Sequence, residues 1–147
     1  MMKKLFQTKQ FEFFTAGIDT KLELPYFGKV RAGFPSPAED FSDERIDLNK
    51  ILIQNPLSTY YVKVIGNSME PDFCDGDLLI IDKSLEWDDN RIALCFVEGE
   101  FTLKRIRYKD DKCFLIPSNS EYPLIEISEY DNSIIWGVVS YSIKNHK

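Results

Sequence analysis

The sequence predicts a mainly β domain of small antiparallel sheets, with an extended N-terminal arm and one short helix. Three observations point there. From residue 60 onward, short runs rich in Val, Ile, Leu, Phe and Tyr recur between turn residues. Before residue 45, aromatics, charges, glycines and three prolines mix without a sustained period. At 147 residues and 44% hydrophobic content, the chain can build one core and is crowded for two.

In chain order, residues 1–45 are expected to form the arm and residues 46–147 the β-rich domain. The arm holds RAGFPSPAED, residues 31–40, in which Pro35 and Pro37 restrict Phe34 and Ser36 to extended geometry. By composition this stretch is equally a stiff linker or a strand held ready for a groove. In SDERIDLNKILIQNP, Leu48, Ile51 and Leu52 fall at helical spacing and Pro56 limits any continuation of the helix. A short helix is therefore predicted near 47–54, plugging onto the core. Strands are predicted at YYVKVIG, LLIID, RIALCFVE, EFTLKRIRY, CFLIP, LIEIS and SIIWGVVSYSI, separated by turn material such as DGD, EGE and DNS. Glu98-Gly99 reads as a compact hairpin turn that sets residues 100–108 antiparallel to 91–98 and puts Lys104 in mid-strand.

Composition narrows the function classes. With 18 Lys plus Arg against 24 Asp plus Glu, the formal charge of -6 opposes tight binding to a phosphate backbone by this chain alone. Any link to nucleic acid is expected to run through partners. Cys74, Cys95 and Cys113 form no C-x-x-C pattern, and the single histidine is His146, so no metal site and no cofactor is expected. The cysteines read as buried free thiols in a reducing cytoplasm. Polar residues from Gln7 to Gln10 and Glu12 interrupt the first apolar residues, which argues against a signal peptide. No later stretch approaches the roughly 18 apolar residues of a membrane span. A soluble, cytoplasmic protein is the expectation.

The stretch richest in chemistry is GNSMEPDFCDGDLLIID, residues 66–82, where a strand stops at Gly66, presents Ser68 and restarts as an apolar strand. A serine at such a junction can project beyond the sheet while nearby backbone N–H groups face an approaching oxygen. It needs a base, and His146, near the C-terminus, is a poor one. A lysine can serve if burial lowers its pKa toward neutrality. Lys104, between Leu103 and Ile106, meets that condition best; Lys63 is also in a strand, while Lys83, Lys109 and Lys112 sit in turn-like or charged surroundings. Arg105 cannot deprotonate. On spacing alone, a surface serine and a snorkelling strand lysine account for the same residues.

The run S-M-E-P-x-x-x-x-G-D, Ser68 to Asp77, resembles the signature of the Ser/Lys self-cleaving peptidases of the LexA and UmuD type, and of bacterial signal peptidases. AGFPSPAED, RIDLNKILIQNP, GNSM, DGDLLIID, EGEFTLKRI, LIPSNSEYPLI and GVV extend the UmuD-type resemblance over residues 32–140. The resemblance implies a LexA/UmuD-type peptidase domain with Ser68 as nucleophile and Lys104 as general base. It implies backbone N–H groups of Asn67 and Ser68 as oxyanion donors, and Ala32-Gly33 as the bond the protein cuts in itself. It further implies a homodimer, stimulation by a RecA filament on single-stranded DNA, and union of the shortened dimer with a UmuC-type subunit as an error-prone translesion polymerase. The terminal strand SIIWGVVSYSI is expected to offer an open edge for self-association.

Two positions depart from the UmuD pattern: Asn67 stands where aspartate is frequent, and Ala32 where cysteine is frequent, as in LexA-like repressors. Residues 1–31 resemble the family least. A LexA-like transcriptional repressor carrying the same protease is the alternative, but some 31 unpatterned residues before Ala32 are too few for a helix-turn-helix domain. A signal peptidase would want a membrane anchor, and a scaffold with a vestigial site would not cut.

Overall fold

The computed structural model describes residues 3–16, 23–25, 45–117, 124–127 and 134–146. Among these residues eleven strands form in chain order: β1 Lys3–Gln7, β2 Phe11–Thr15, β3 Glu23–Pro25, β4 Arg45–Asp47, β5 Thr59–Val64, β6 Leu78–Asp82, β7 Ile92–Val97, β8 Glu100–Lys109, β9 Lys112–Pro117, β10 Ile125–Ile127 and β11 Ile135–Ile143. The described α-helix, α1 Leu48–Leu52, lies between β4 and β5. The main sheet has nine strands in the order β1-β2-β5-β6-β11-β7-β8-β9-β10, and β3 pairs with β4 in a separate ribbon. The described pairings are antiparallel, so the mainly β expectation holds.

Two hairpin turns fix the register around Lys104. Glu98 and Gly99 both take positive φ (50° and 79°) in the two-residue loop that pairs Val97 with Glu100. Asp110 and Asp111 do the same (53° and 60°) between Lys109 and Lys112. Such loops match the twist of the flanking strands. The resulting register sets Lys104 opposite Ala93 on β7 and Pro117 on β9.

The core has two clusters, and β7 contributes to both. Ile92 and Leu94 join Phe11, Phe13, Val62, Val64, Met69, Phe73, Leu79, Ile81 and Leu103. Ala93, Cys95 and Val97 join Ile106, Cys113, Leu115 and Ile127. Alternation along a strand covered on both faces produces this division. Cys95 and Cys113 are buried free thiols, while Cys74 is only partly covered.

Three expectations are corrected. Residues 3–16, read as part of an unpatterned arm, form the β1–β2 hairpin and extend the main sheet. Its turn closes because Thr8 N–H donates to Phe11 O (2.8 Å) while Thr8 Oγ1 accepts from Gln10 and Phe11 N–H (3.3 and 3.1 Å). Helix α1, capped by Asp47 Oδ1 accepting from Asn49 N–H (3.0 Å), buries none of its own residues. Leu48 and Ile51 stay exposed, and the buried residue is Ile53, which comes just after the helix. A five-residue helix has too little surface to present a full apolar stripe. Finally, β11 is no edge: it pairs with β7 over Ile135–Val138 and with β6 over Val138–Ile143.

Candidate active site

The segment joining β5 to β6 carries Ser68, and its base is tied shut. Val64 N–H donates to Asp77 O (2.9 Å), Gly76 N–H to Val64 O (2.8 Å), and Gly66 N–H to Asp75 Oδ1 (2.7 Å). Gly66 and Gly76 both hold positive φ (79° and 88°), a conformation that a side chain would strain. Lys144 adds an outer tie, donating to Cys74 Sγ (3.3 Å) and lying 3.9 Å from Asp77 Oδ2.

Inside the loop, Glu70 N–H donates to Asn67 O (3.2 Å) and Phe73 N–H to Met69 O (3.0 Å). Met69 and Phe73 are buried in the first core cluster, whereas Asn67 and Ser68 are exposed. Burying Met69 thus fixes its neighbour Ser68 at the surface. The N–H groups of Asn67 and Ser68 meet no acceptor among the described residues.

Lys104 sits in the middle of β8, half-buried, on the face that its partner Ala93 shares with Cys95. Burial disfavours its ammonium and holds its pKa below the ordinary lysine value. The Cys95 thiol is pushed up to about 12 by its own burial, so it stays neutral at physiological pH. Lys104 lines a cleft of about 130 Å³ with Leu103, Ile116 and Pro117 and with Asp72 and Phe73 from the serine loop. Lys104 and the far end of that loop thus line one cleft. Ser68 is not among the described residues lining the cleft. Ala32 and Gly33 lie outside the described residues.

Sequence reasoning found the serine loop and the strand lysine but missed what holds them. Phe11 and Phe13 share the cluster of Met69, Phe73 and Leu103, and Ile65 N–H at the mouth of the loop donates to Gln10 O (2.8 Å). The alternation of Phe11, Glu12 and Phe13 after Thr8 was the available signal.

Among the described residues no helix is long and apolar enough to cross a membrane. The Peptidase S24-like family matches residues 25–140, which takes in both the loop and the lysine strand. MucA of Salmonella typhimurium is 34% identical over 137 residues, 91% of this chain and 93% of its own. SamA of Salmonella typhimurium strain LT2 is 40% identical over 110 residues, 74% of this chain and 76% of its own. The LexA repressor of Anaeromyxobacter dehalogenans is 30% identical over 121 residues, 80% of this chain but 53% of the repressor. A match that spans the serine loop, the lysine strand and the sheet joining them makes this chain a member of the Peptidase S24-like family.

Proposed function

We propose that the protein is a self-cleaving serine endopeptidase of the UmuD type, in which a Ser68–Lys104 dyad cuts the chain's own Ala32-Gly33 bond. The observation that carries this reading is Lys104: half-buried, its ammonium disfavoured, and lining a cleft that Asp72 and Phe73 of the serine loop also line. Neutral Lys104 takes the Ser68 proton and Oγ attacks the Ala32 carbonyl carbon. The N–H groups of Asn67 and Ser68 receive the oxyanion. The C–N bond breaks as the proton passes to the Gly33 amine, and water then hydrolyses the acyl-enzyme. Alanine before the bond asks only a shallow pocket, and glycine after it permits close backbone approach. Pro35 and Pro37 favour extended geometry at the residues before them, which suits a substrate strand.

The act is a single switch without turnover. As in UmuD-type proteins, a RecA filament on single-stranded DNA promotes the cut in the cytoplasm. The shortened homodimer then joins a UmuC-type subunit in error-prone translesion synthesis. The likeness to MucA and SamA over most of their lengths supports this role.

The test is to incubate the pure protein between about pH 7 and 10, with and without RecA filaments, and to measure intact masses. Fragments 1–32 and 33–147 are expected, faster with the filament. Ser68→Ala and Lys104→Ala should each stay whole. Cleavage at the same bond in either variant would remove that residue from the dyad, and a rate indifferent to RecA would remove the regulatory step.

A further inference from the structure

We infer that the β5 edge is a strand-acceptor site whose occupant is the chain's own hairpin 3–16, and that severing the chain after Ala32 leaves this hairpin bound as a separate peptide. The second half deepens the self-cleavage reading and rests on it; the first half does not.

The whole hairpin lies before the cut, yet it is built into the sheet. All five residues of β2 pair with β5, from Phe11 opposite Val64 to Thr15 opposite Tyr60, and the ladder continues through Gln10 O to Ile65 N–H. Phe11 and Phe13 have no exposed surface at all. The Phe13 ring stacks on Phe6 at 4.2 Å and meets Phe101 at 5.0 Å and Trp136 at 5.4 Å, so both hairpin strands and two other strands hold it. Main-chain bonds of this kind supply affinity, and pockets for alternate side chains supply selectivity. The site's ligand class is thus an extended peptide with aromatic residues at alternate positions.

Hydrolysis of one bond beyond the hairpin removes none of these contacts. It removes only the tether, which lowers the effective concentration of the hairpin without altering its fit. Departure would strip the β5 edge and expose Val62 and Val64, the kind of open apolar edge that proteins keep covered. Proteolysis and release are accordingly two separate events, and whatever acts on the trimmed sheet along β5 must displace the peptide.

The test uses the full chain in a Ser68→Ala background, with the recognition sequence of an exogenous protease inserted between Ala32 and Gly33, so that cutting does not depend on the dyad. After cutting is verified by mass, gel filtration under native conditions should carry both fragments in one peak, separable only in denaturant. A synthetic peptide of residues 1–16 should displace the resident fragment. The same peptide with Phe11→Ala and Phe13→Ala should need at least about 100-fold more, as expected for removing two fully buried rings. Separation of the native fragments on the column, whether or not the remainder stays soluble, overturns the inference; so does equal competition by the two peptides. If the unaltered protein never cuts itself, the self-cleavage reading falls while the acceptor site is still decided here.

Discussion

Lys104 and Asp82 are both ionisable groups taken out of water, and their neighbours push them in ways that can be measured. Burial holds the Lys104 ammonium below its ordinary 10.5, so the neutral base is reached at lower pH than in a free lysine. The self-cleavage rate should therefore rise with pH and reach half its plateau below 10.5. Lys104→Arg keeps the charge but cannot lose its proton, and should slow the cut by about 100-fold or more at every pH. A variant that cleaved with an unchanged profile would assign the base elsewhere. Asp82 shows the opposite balance. Burial raises its pKa, yet donation from Ser84, Asn55 and Ser58 outweighs that and holds the carboxyl below 3.8. The bonds are short: 2.8 Å from Asn55 Nδ2, 2.8 Å from Ser58 Oγ and 2.6 Å from Ser84 Oγ. Because the folded form binds the proton less readily than the unfolded chain, this stabilisation is complete above about pH 4 and drains away as pH falls through the folded value. Asp82→Asn should cost about 2 kcal/mol at pH 7 in denaturant unfolding, a difference that vanishes in acid.

Among the elements, glycines at two positions make unequal demands. Gly137 lies on inner strand β11, where a Cβ would stand 2.6 Å from Cγ2 of fully buried Ile81. Gly99 lies in the β7–β8 turn at φ 79° with nothing within 4 Å of a Cβ. Gly137→Ala should destabilise through overpacking by about 1–3 kcal/mol. Gly99→Ala should cost only the left-handed backbone penalty, about 1–2 kcal/mol, with the core intact. Near-ultraviolet circular dichroism separates them, since only the first disturbs packing around Trp136. The same contrast explains what the sequence could disclose. Strands β5 to β11 were legible because apolar runs alternate with turn residues such as Glu98-Gly99. The β1–β2 hairpin was not, because Phe6 and Phe14 break the alternation that Phe11 and Phe13 begin. Helix α1 was legible in place but not in orientation, since Leu48 and Ile51 share a spacing with buried positions and yet face solvent. Ser68 and Lys104 could be chosen by residue type, but the cleft joining Lys104 to the serine loop depends on contacts far apart in sequence.

Across the whole molecule, the sheet order separates the two parts of the candidate site and one strand rejoins them. Strands β1, β2, β5 and β6 carry the serine loop, and β7 to β10 carry Lys104. Between the two halves runs β11, bonded to β6 on one side and β7 on the other, and it is the last of the described strands. A variant ending at residue 133 should show no self-cleavage and no cooperative unfolding, tested by intact mass and thermal melting; cutting at the full-length rate would show that each half needs nothing from β11. The fold thus dates its own chemistry. While residues 135–143 are still inside the ribosome, a nascent chain already holds Ser68 and Lys104 but has not closed the sheet that carries both. If the Ser68–Lys104 dyad cuts the chain as proposed, the order in which the chain is made holds that cutting back until β11 is in place.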